Sequence, residues 1–279
     1  MNRQEKREPE TRQVIFIRHG ESTWNDTFNK SKNPVLFIPR LLHAAVVEIS
    51  FLVTQVRESW FYDSPLSRTG LRQATELRAF LQQSRSEPLA QTLLGRGGKS
   101  IVVSSILRRA ISTGLVGLWD RLNGTNERIQ LLPCLQEISR NPDTLCITAP
   151  QAQPQPSWVD ARFKDVDMSD AYRRCVDPSR HEGNKSVDSN GLQRMMAFNS
   201  WAFQEDHGSI IAVGHSLWFR SFFREFLPRS FDHDCKSKKI ANAGAVAFNL
   251  QRRILSDGSA LFRIDPTSVK VVYGGFTKA

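Results

Sequence analysis

Short, wholly apolar runs recur along this chain at wide intervals. Val14-Ile15-Phe16-Ile17, Ile101-Val102-Val103 and Ile210-Ile211-Ala212-Val213 are rich in β-branched residues and flanked by polar ones. Runs of that length and composition read as strands buried on both faces. Helix-period segments lie between them. Leu71, Ala74, Leu77 and Leu81 give one apolar face to a predicted helix over 69–81. Further helices are predicted from about 106 to 121, from 191 to 204 and after His215, and a short strand at about 129–132. Closing strands are expected at 245–249, 260–264 and 269–273. Strands alternating with helices imply parallel strands joined by right-handed crossovers. The expected fold is therefore α/β, a three-layer α/β/α arrangement with a mostly parallel central sheet.

Two stretches interrupt this rhythm, at about 26–64 and 141–190. The first contains a mostly apolar segment, Val35 to Val56, in which Arg40, His43, Ser50, Thr54 and Arg57 recur near helical spacing. This predicts a helix whose polar stripe faces solvent and whose apolar face covers the domain as a lid or wall. Pro39 is expected to break or delay its start. The second stretch is polar and rich in proline and charge, with 149–156 its least structured part. Residues 1–12 are polar and expected to form a flexible tail. The remainder, 13–279, is long enough for one large domain.

Composition narrows the partners. The chain carries 38 Lys+Arg against 28 Asp+Glu, a net charge of +10, which suits an anionic partner. The basic residues are scattered and form no stripe interleaved with aromatics, so no nucleic acid is expected. Cys134, Cys146, Cys175 and Cys235 show no C-x-x-C spacing, and reduced thiols in the cytoplasm are the simplest expectation. The charged N-terminus has no apolar core of a secretory signal. No uninterrupted apolar segment reads as a membrane span. A membrane-surface contact through 35–56 is the competing reading of that segment.

The candidate chemistry sits directly behind the apolar runs. Arg18-His19-Gly20-Glu21-Ser22 follows the first, Ser105-Ile106-Leu107-Arg108-Arg109-Ala110 follows the second, and Gly214-His215-Ser216 follows the third. Parallel strands bring their carboxyl ends to one edge, where open α/β sheets bind ligands. Two histidines and at least two arginines far apart in sequence should therefore meet. Gly95-Arg96-Gly97-Gly98-Lys99-Ser100 superficially suggests a phosphate loop. It lacks the required first glycine and precedes a strand instead of following one. Asp232-His233-Asp234-Cys235 has metal-ligand residue types in too tight a succession to make a site.

Together with Leu66-Ser67-Arg68-Thr69-Gly70-Leu71-Arg72-Gln73-Ala74 and Leu135-Gln136-Glu137, these motifs resemble the histidine phosphatase (phosphoglycerate-mutase-like) superfamily, in the family's order and over roughly residues 13–250. The resemblance implies hydrolysis of a phosphomonoester through a phosphohistidine, with no metal and no cofactor. It implies His19 as nucleophile, Arg18 and Arg109 as phosphate grips, His215 as a further donor, Asn25 as a phosphate contact and Glu137 as general acid. Guanidinium groups match phosphate bidentately and disfavour a charged imidazole beside them. Gly20 and Gly214 are expected to let backbone approach the phosphate. Arg108 is expected to face solvent or the outer part of the substrate, and Glu21 to orient a neighbour. After Glu137 the chain reads Ile138-Ser139-Arg140-Asn141-Pro142-Asp143, where cofactor-dependent mutases carry E-R-H-Y-G. That departure favours a phosphatase over a phosphomutase and leaves Asp143 as a rival acid. A phosphate- or phosphopeptide-binding regulator without turnover is the alternative from another class. The expected partner is a phosphorylated small molecule or phosphoprotein.

Overall fold

The first apolar run forms the centre of the molecule because neighbours cover both its faces. In the computed structural model, which describes residues 8–30, 34–186, 188–204 and 207–277, it belongs to β1 (Glu10–Arg18). Three segments follow it: α1 (Thr23–Phe28), α2 (Pro34–Val53) and α3 (Arg68–Gln83). After α4 (Pro88–Leu93) come β2 (Ser100–Ser104), α5 (Arg108–Gly117), α6 (Trp119–Leu122) and β3 (Ile129–Leu131). The polar excursion holds α7 (Met168–Cys175) and β4 (Val176–Asp177), and leads through α8 (Gly191–Ala202) to β5 (Ser209–Gly214) and α9 (Ser216–Phe226). The chain closes with α10 (Asp234–Ser237), β6 (Lys239–Ile240), β7 (Ala245–Ile254), β8 (Ala260–Ile264), β9 (Lys270–Tyr273) and β10 (Phe276–Thr277).

The main sheet has the order β4-β3-β2-β5-β1-β7-β8, with β9 also on β7, and β10 pairs with β6 separately. From β4 to β1 every pairing is parallel. The closing strands β7, β8 and β9 are antiparallel. Ile15 and Ile17 point into the layer that holds α3, α5 and α7. Val14 and Phe16 point into the layer that holds α8 and α9. Phe16 stacks on Phe219 with ring centroids 4.1 Å apart and meets Trp218 edge-on at 5.8 Å. Both faces of β1 are thus buried, as its unbroken apolar run requires.

Several boundaries differ from the sequence reading. β1 starts at Glu10, because Glu10 to Arg12 pair with the long β7. Of the expected tail, residues 1–7 lie outside the described residues. The helix expected over 106–121 is two, since Leu118 leaves helical geometry between α5 and α6. Pro39 sits inside α2 without ending it. The excursion is folded onto the domain, where Ser112 Oγ of α5 donates to its Asp160 Oδ2 at 3.0 Å, and it is also bonded to itself. Gln151 donates its N–H to the His181 carbonyl at 2.7 Å, and Gln153 Nε2 donates to the Tyr172 carbonyl at 2.7 Å.

The largest departure is the orientation of α2. Its apolar face was expected against the domain, yet Val35, Ile38, Leu42, Val46, Ile49 and Val53 are all more than half exposed. The inward side carries Ala44, which is buried, and Phe51, whose ring lies 5.9 Å from Trp158. Glu48 explains the turn of the helix: its two carboxylate oxygens accept from Ser59 Oγ at 2.8 Å and the Trp60 N–H at 2.7 Å. Of the expected polar stripe, His43, Ser50, Thr54 and Arg57 are exposed as expected, whereas Arg40 has a buried Nη1; the His43 ring also meets Trp60 edge-on at 5.3 Å. Contrary to the expectation that no segment would do so, Val35–Val53 is long and apolar enough to cross a membrane, by length and composition alone.

Candidate active site

Parallel register brings the three motifs together. Arg18 lies beside Gly214 and Ser104 beside Val213, so His19, Ser105 and His215 leave adjacent strands at one edge. Backbone bonds fix the exits: the His19 N–H donates to the Gly214 carbonyl at 2.9 Å and the Ser105 N–H to the Val213 carbonyl at 2.9 Å. A cavity of about 390 Å³ opens here, and Arg18, His19, Asn25, Arg109 and Glu137 all line it. His215 lies fully buried beneath, its ring centroid 5.0 Å from that of His19.

His19 is set up as a neutral imidazole with a defined tautomer. Nδ1 lies 2.6 Å from the Gly20 carbonyl. A carbonyl only accepts, so Nδ1 carries the proton and Nε2 keeps its lone pair. Burial, then Arg109 and Arg18, hold its pKa well below the usual histidine value. His215 is also pushed down, first by burial and then by Arg109. Its Nε2 is 2.8 Å from Ser105 Oγ, and its Nδ1 is buried without a protein partner.

The two arginines are buried differently. Arg18 donates from Nη1 to the Ile240 carbonyl at 2.7 Å, and its Nε is buried and unpartnered. Burial lowers its pKa to about 10, with Glu137 opposing and Arg109 adding to the shift. Arg109 donates from Nη1 to the Asp143 carbonyl at 2.6 Å, its Nη2 stands 3.3 Å from Asp143 Oδ2, and its Nε is also unpartnered. Asp143, the rival acid of the sequence reading, is therefore the counter-ion of Arg109. Its own pKa is raised by burial, against the pull of Arg109.

Glu137 accepts from three backbone N–H groups. Oε1 takes those of Ile138 at 2.7 Å and Trp218 at 3.1 Å, and Oε2 takes that of Leu217 at 3.2 Å. Leu217 and Trp218 lie in the first turn of α9, so Glu137 also satisfies donors that a helix start leaves free. Burial nevertheless raises its pKa, with the Ile138 N–H and Arg109 pulling the other way. Its position is held by groups the sequence reading did not single out. Lys185 Nζ donates to the Glu137 and Ser139 carbonyls, and Arg194 Nη1 to the Gln136 carbonyl. Burial lowers the Lys185 pKa to about 8. Lys239, Asn242 and Thr277 near the C-terminus also line the cavity. No motif marks them: Lys239 and Thr277 face each other in the pairing of β6 with β10, and Asn242 Nδ2 donates to the His19 carbonyl at 3.4 Å.

Five further residues in or near the motifs behave otherwise than expected or show their roles. Arg108 is 2 % exposed, not solvent-facing. Its Nη1 donates to Glu58 Oε2 at 2.8 Å, and its backbone N–H to Asp63 Oδ1 at 3.0 Å. The first insertion supplies both carboxylates, which hold the guanidinium charged although burial opposes it. Glu21 orients its surroundings: Oε1 accepts from Ser67 Oγ at 2.8 Å, and its N–H donates to Gln73 Oε1 at 2.8 Å. Gly20 is required by packing, since a Cβ there would lie 2.5 Å from the Gly70 carbonyl oxygen. Gly214 is required likewise, with Phe219 Cζ at 2.9 Å. Asn25 reaches the cavity, and its Oδ1 accepts from Asn29 Nδ2 at 2.7 Å. Among the described residues, no three His, Cys, Asp or Glu side chains are grouped to hold a metal.

Solved structures with a similar course of the chain include the alpha-ribazole phosphatase from Shigella flexneri. It is 17% identical with a TM-score of 0.42, over 90% of this chain and 95% of that one. A mycobacterial glucosyl-3-phosphoglycerate phosphatase is 16% identical with a TM-score of 0.42, over 91% and 97%. The phosphoglycerate mutase from Bacillus anthracis is 16% identical with a TM-score of 0.43, over 92% and 94%. By their names these neighbours are two phosphatases and a phosphoglycerate mutase. No family model matches the chain, and no curated protein does.

Proposed function

We propose that the protein is a phosphomonoesterase that works through a phosphohistidine on His19. One observation carries this reading. A neutral imidazole with a free Nε2 stands beside two buried arginines, Arg18 and Arg109, each with an unpartnered Nε. Buried cationic donors without partners are costly unless an anion completes them. Arg18 has no ion-pair partner among the described residues, and a phosphoryl group supplies both the charge and the acceptors.

The chemistry divides into two displacements. The Nε2 lone pair forms a bond to phosphorus while the ester P–O bond breaks, its electrons passing to the leaving oxygen. Glu137, whose buried carboxyl has a raised pKa, gives that oxygen a proton. The resulting imidazolium keeps its Nδ1–H on the Gly20 carbonyl. Water then attacks phosphorus, Glu137 takes its proton, and the N–P bond breaks with its electrons returning to Nε2. Arg18, Arg109 and the buried His215 stabilise charge on the phosphoryl oxygens. Asn25 adds a polar contact at the cavity wall.

A cavity of about 390 Å³ suits a phosphorylated small molecule better than the surface of a folded phosphoprotein. The four cysteines are free, in keeping with the cytoplasm as the proposed compartment. Acid-labile, base-stable phosphate on the protein after a rapid quench with a labelled aryl phosphate tests the mechanism. The label is expected on His19 and is expected to be absent from His19→Ala. Turnover without any such label, or label on the alanine variant, contradicts it.

A further inference from the structure

We propose that the outer face of α2 seats in the plane of an anionic lipid bilayer. Val35, Ile38, Leu42, Val46, Ile49 and Val53 recur at steps of three and four, so they form one stripe along the helix. They are 73%, 55%, 61%, 65%, 58% and 77% exposed. Leu52 at 71% and Leu36 at 49% widen the stripe. At 1.5 Å per residue it runs for about 30 Å. A continuous apolar surface of this kind on a folded chain marks an interaction site.

Two of the helix's polar groups turn away from that surface, while His43, Ser50 and Thr54 remain exposed outside the stripe. Arg40 has a buried Nη1, and Glu48 is bound to Ser59 and Trp60. The stripe itself carries no charge and no side-chain hydrogen-bonding group. Protein interfaces usually combine an apolar centre with directed polar contacts at the rim. A purely aliphatic strip asks for no such partner and suits hydrocarbon.

Charge selects among occupants. The chain has a net charge of +10, and Arg57, which is exposed, follows the helix, while Lys30 before it pairs with Asp26 at 2.7 Å. Two copies would bring like charges together, whereas an anionic headgroup layer attracts them. Depth follows from the tethers. The inward face is fixed to the domain by Glu48, by Phe51 against Trp158 and by His43 against Trp60. The helix therefore lies on the surface with its stripe in the acyl boundary, and does not cross. This inference rests on α2 and is independent of the phosphatase reading.

Co-sedimentation of the full chain with vesicles of phosphatidylserine and phosphatidylcholine tests it, with pure phosphatidylcholine for comparison. Wild type is expected to partition onto the anionic vesicles more strongly than onto the neutral ones. The L42D/V46D double variant alters two exposed positions and is expected to lose at least about tenfold in partitioning. L42M/V46I should bind as wild type does. Hydrogen exchange of the wild type alone is the second measurement, and vesicles should protect the amides of 34–53. The proposal is overturned if wild type stays in the supernatant, if L42D/V46D binds equally well, or if vesicles leave α2 unprotected. It is also overturned if wild type dimerises without lipid and L42D/V46D is monomeric, which assigns the stripe to a second copy.

Discussion

The carboxyl edge of the sheet and the α2 segment treat charge and apolar surface in opposite ways. At the sheet edge, Arg18, His19, Arg109, Glu137 and His215 are all less than a tenth exposed. They are buried by the same strands and helix starts that supply many of their hydrogen-bond partners. In α2 a continuous stripe of the exposed side is aliphatic, while Glu48 and the Arg40 Nη1 are turned towards the domain. The difference shows what fixes each region. Strand register dictates where the motif residues meet, whatever the loops do. The orientation of an inserted helix is decided by a few local contacts, here Glu48 on Ser59 and Trp60, and its amphipathic pattern does not override them.

The largest expected effect separates the two regions by chemistry. His19→Ala should lower kcat/KM by at least about three orders of magnitude, since it removes the nucleophile. The tautomer gives a companion test. Because burial and the two arginines depress its pKa, His19 in the free protein should remain neutral and Nδ1-protonated at pH 6.5, as nitrogen-15 NMR of the imidazole can show. The linkage has a definite sign. Below the unfolded value of 6.5 the unfolded chain takes up a proton that the folded chain refuses. Stability therefore falls as pH drops from 6.5 towards the lower folded value. A protonated His19 at pH 6.5 contradicts the site as described.

Glu137 comes next. Glu137→Gln should slow hydrolysis of alkyl phosphates by about two orders of magnitude, as for loss of a general acid. Phosphates with acidic phenol leaving groups should slow far less while phosphorylation of His19 limits the rate. The same change weakens the bonds to the N–H groups of Ile138, Leu217 and Trp218, worth about 1 kcal/mol in stability. Equal slowing of both substrates without a product burst would leave Glu137 as a structural cap of α9.

The site and the fold were readable in sequence to different depths. The parallel strands and the meeting of Arg18, His19, Arg109 and His215 follow from runs that fit only doubly buried strands, with chemistry at their ends. Arg108 was misread because its partners, Glu58 and Asp63, lie in an insertion with no motif of its own. The two glycines stand out in the motifs, and the fold adds a packing reason that the sequence does not carry. Gly20 and Gly214 make room for Gly70 and Phe219, contacts that only the folded packing of α3 and α9 creates. Lys185, within the excursion, and Arg194, beyond it, brace the Glu137 segment, and long-range side-chain to carbonyl bonds leave no periodic trace.

Glu48→Ala probes the other region. It removes an ionised acceptor from Ser59 Oγ and the Trp60 N–H, a loss of about 1–3 kcal/mol. The effect should be local. Amides of 34–53 should exchange faster, while hydrolysis of a small aryl phosphate changes little, because strand register holds the catalytic groups. A collapse of aryl phosphatase activity in this variant would join the two regions into one functional unit and break the contrast between them.

The smallest expected effect concerns Asp143, the one carboxylate among the described residues that pairs with Arg109, a proposed phosphate grip. Its Oδ2 stands 3.3 Å from Arg109 Nη2, and its Oδ1 is buried without a partner. A phosphoryl dianion at Arg109 would meet this negative charge at close range, and a few kcal/mol of repulsion is the unscreened scale of such a pair. Asp143→Asn keeps the shape and the main-chain carbonyl that accepts from Arg109 Nη1. It removes only the charge. Competing with that gain, Arg109 loses part of what orients it. The balance should lower KM and tighten inhibition by vanadate about three- to tenfold, with kcat nearly unchanged. Initial rates across substrate concentration separate the two terms. A large fall in kcat at constant KM would mean that Asp143 acts on the leaving group, and the role given to Glu137 would then pass to it.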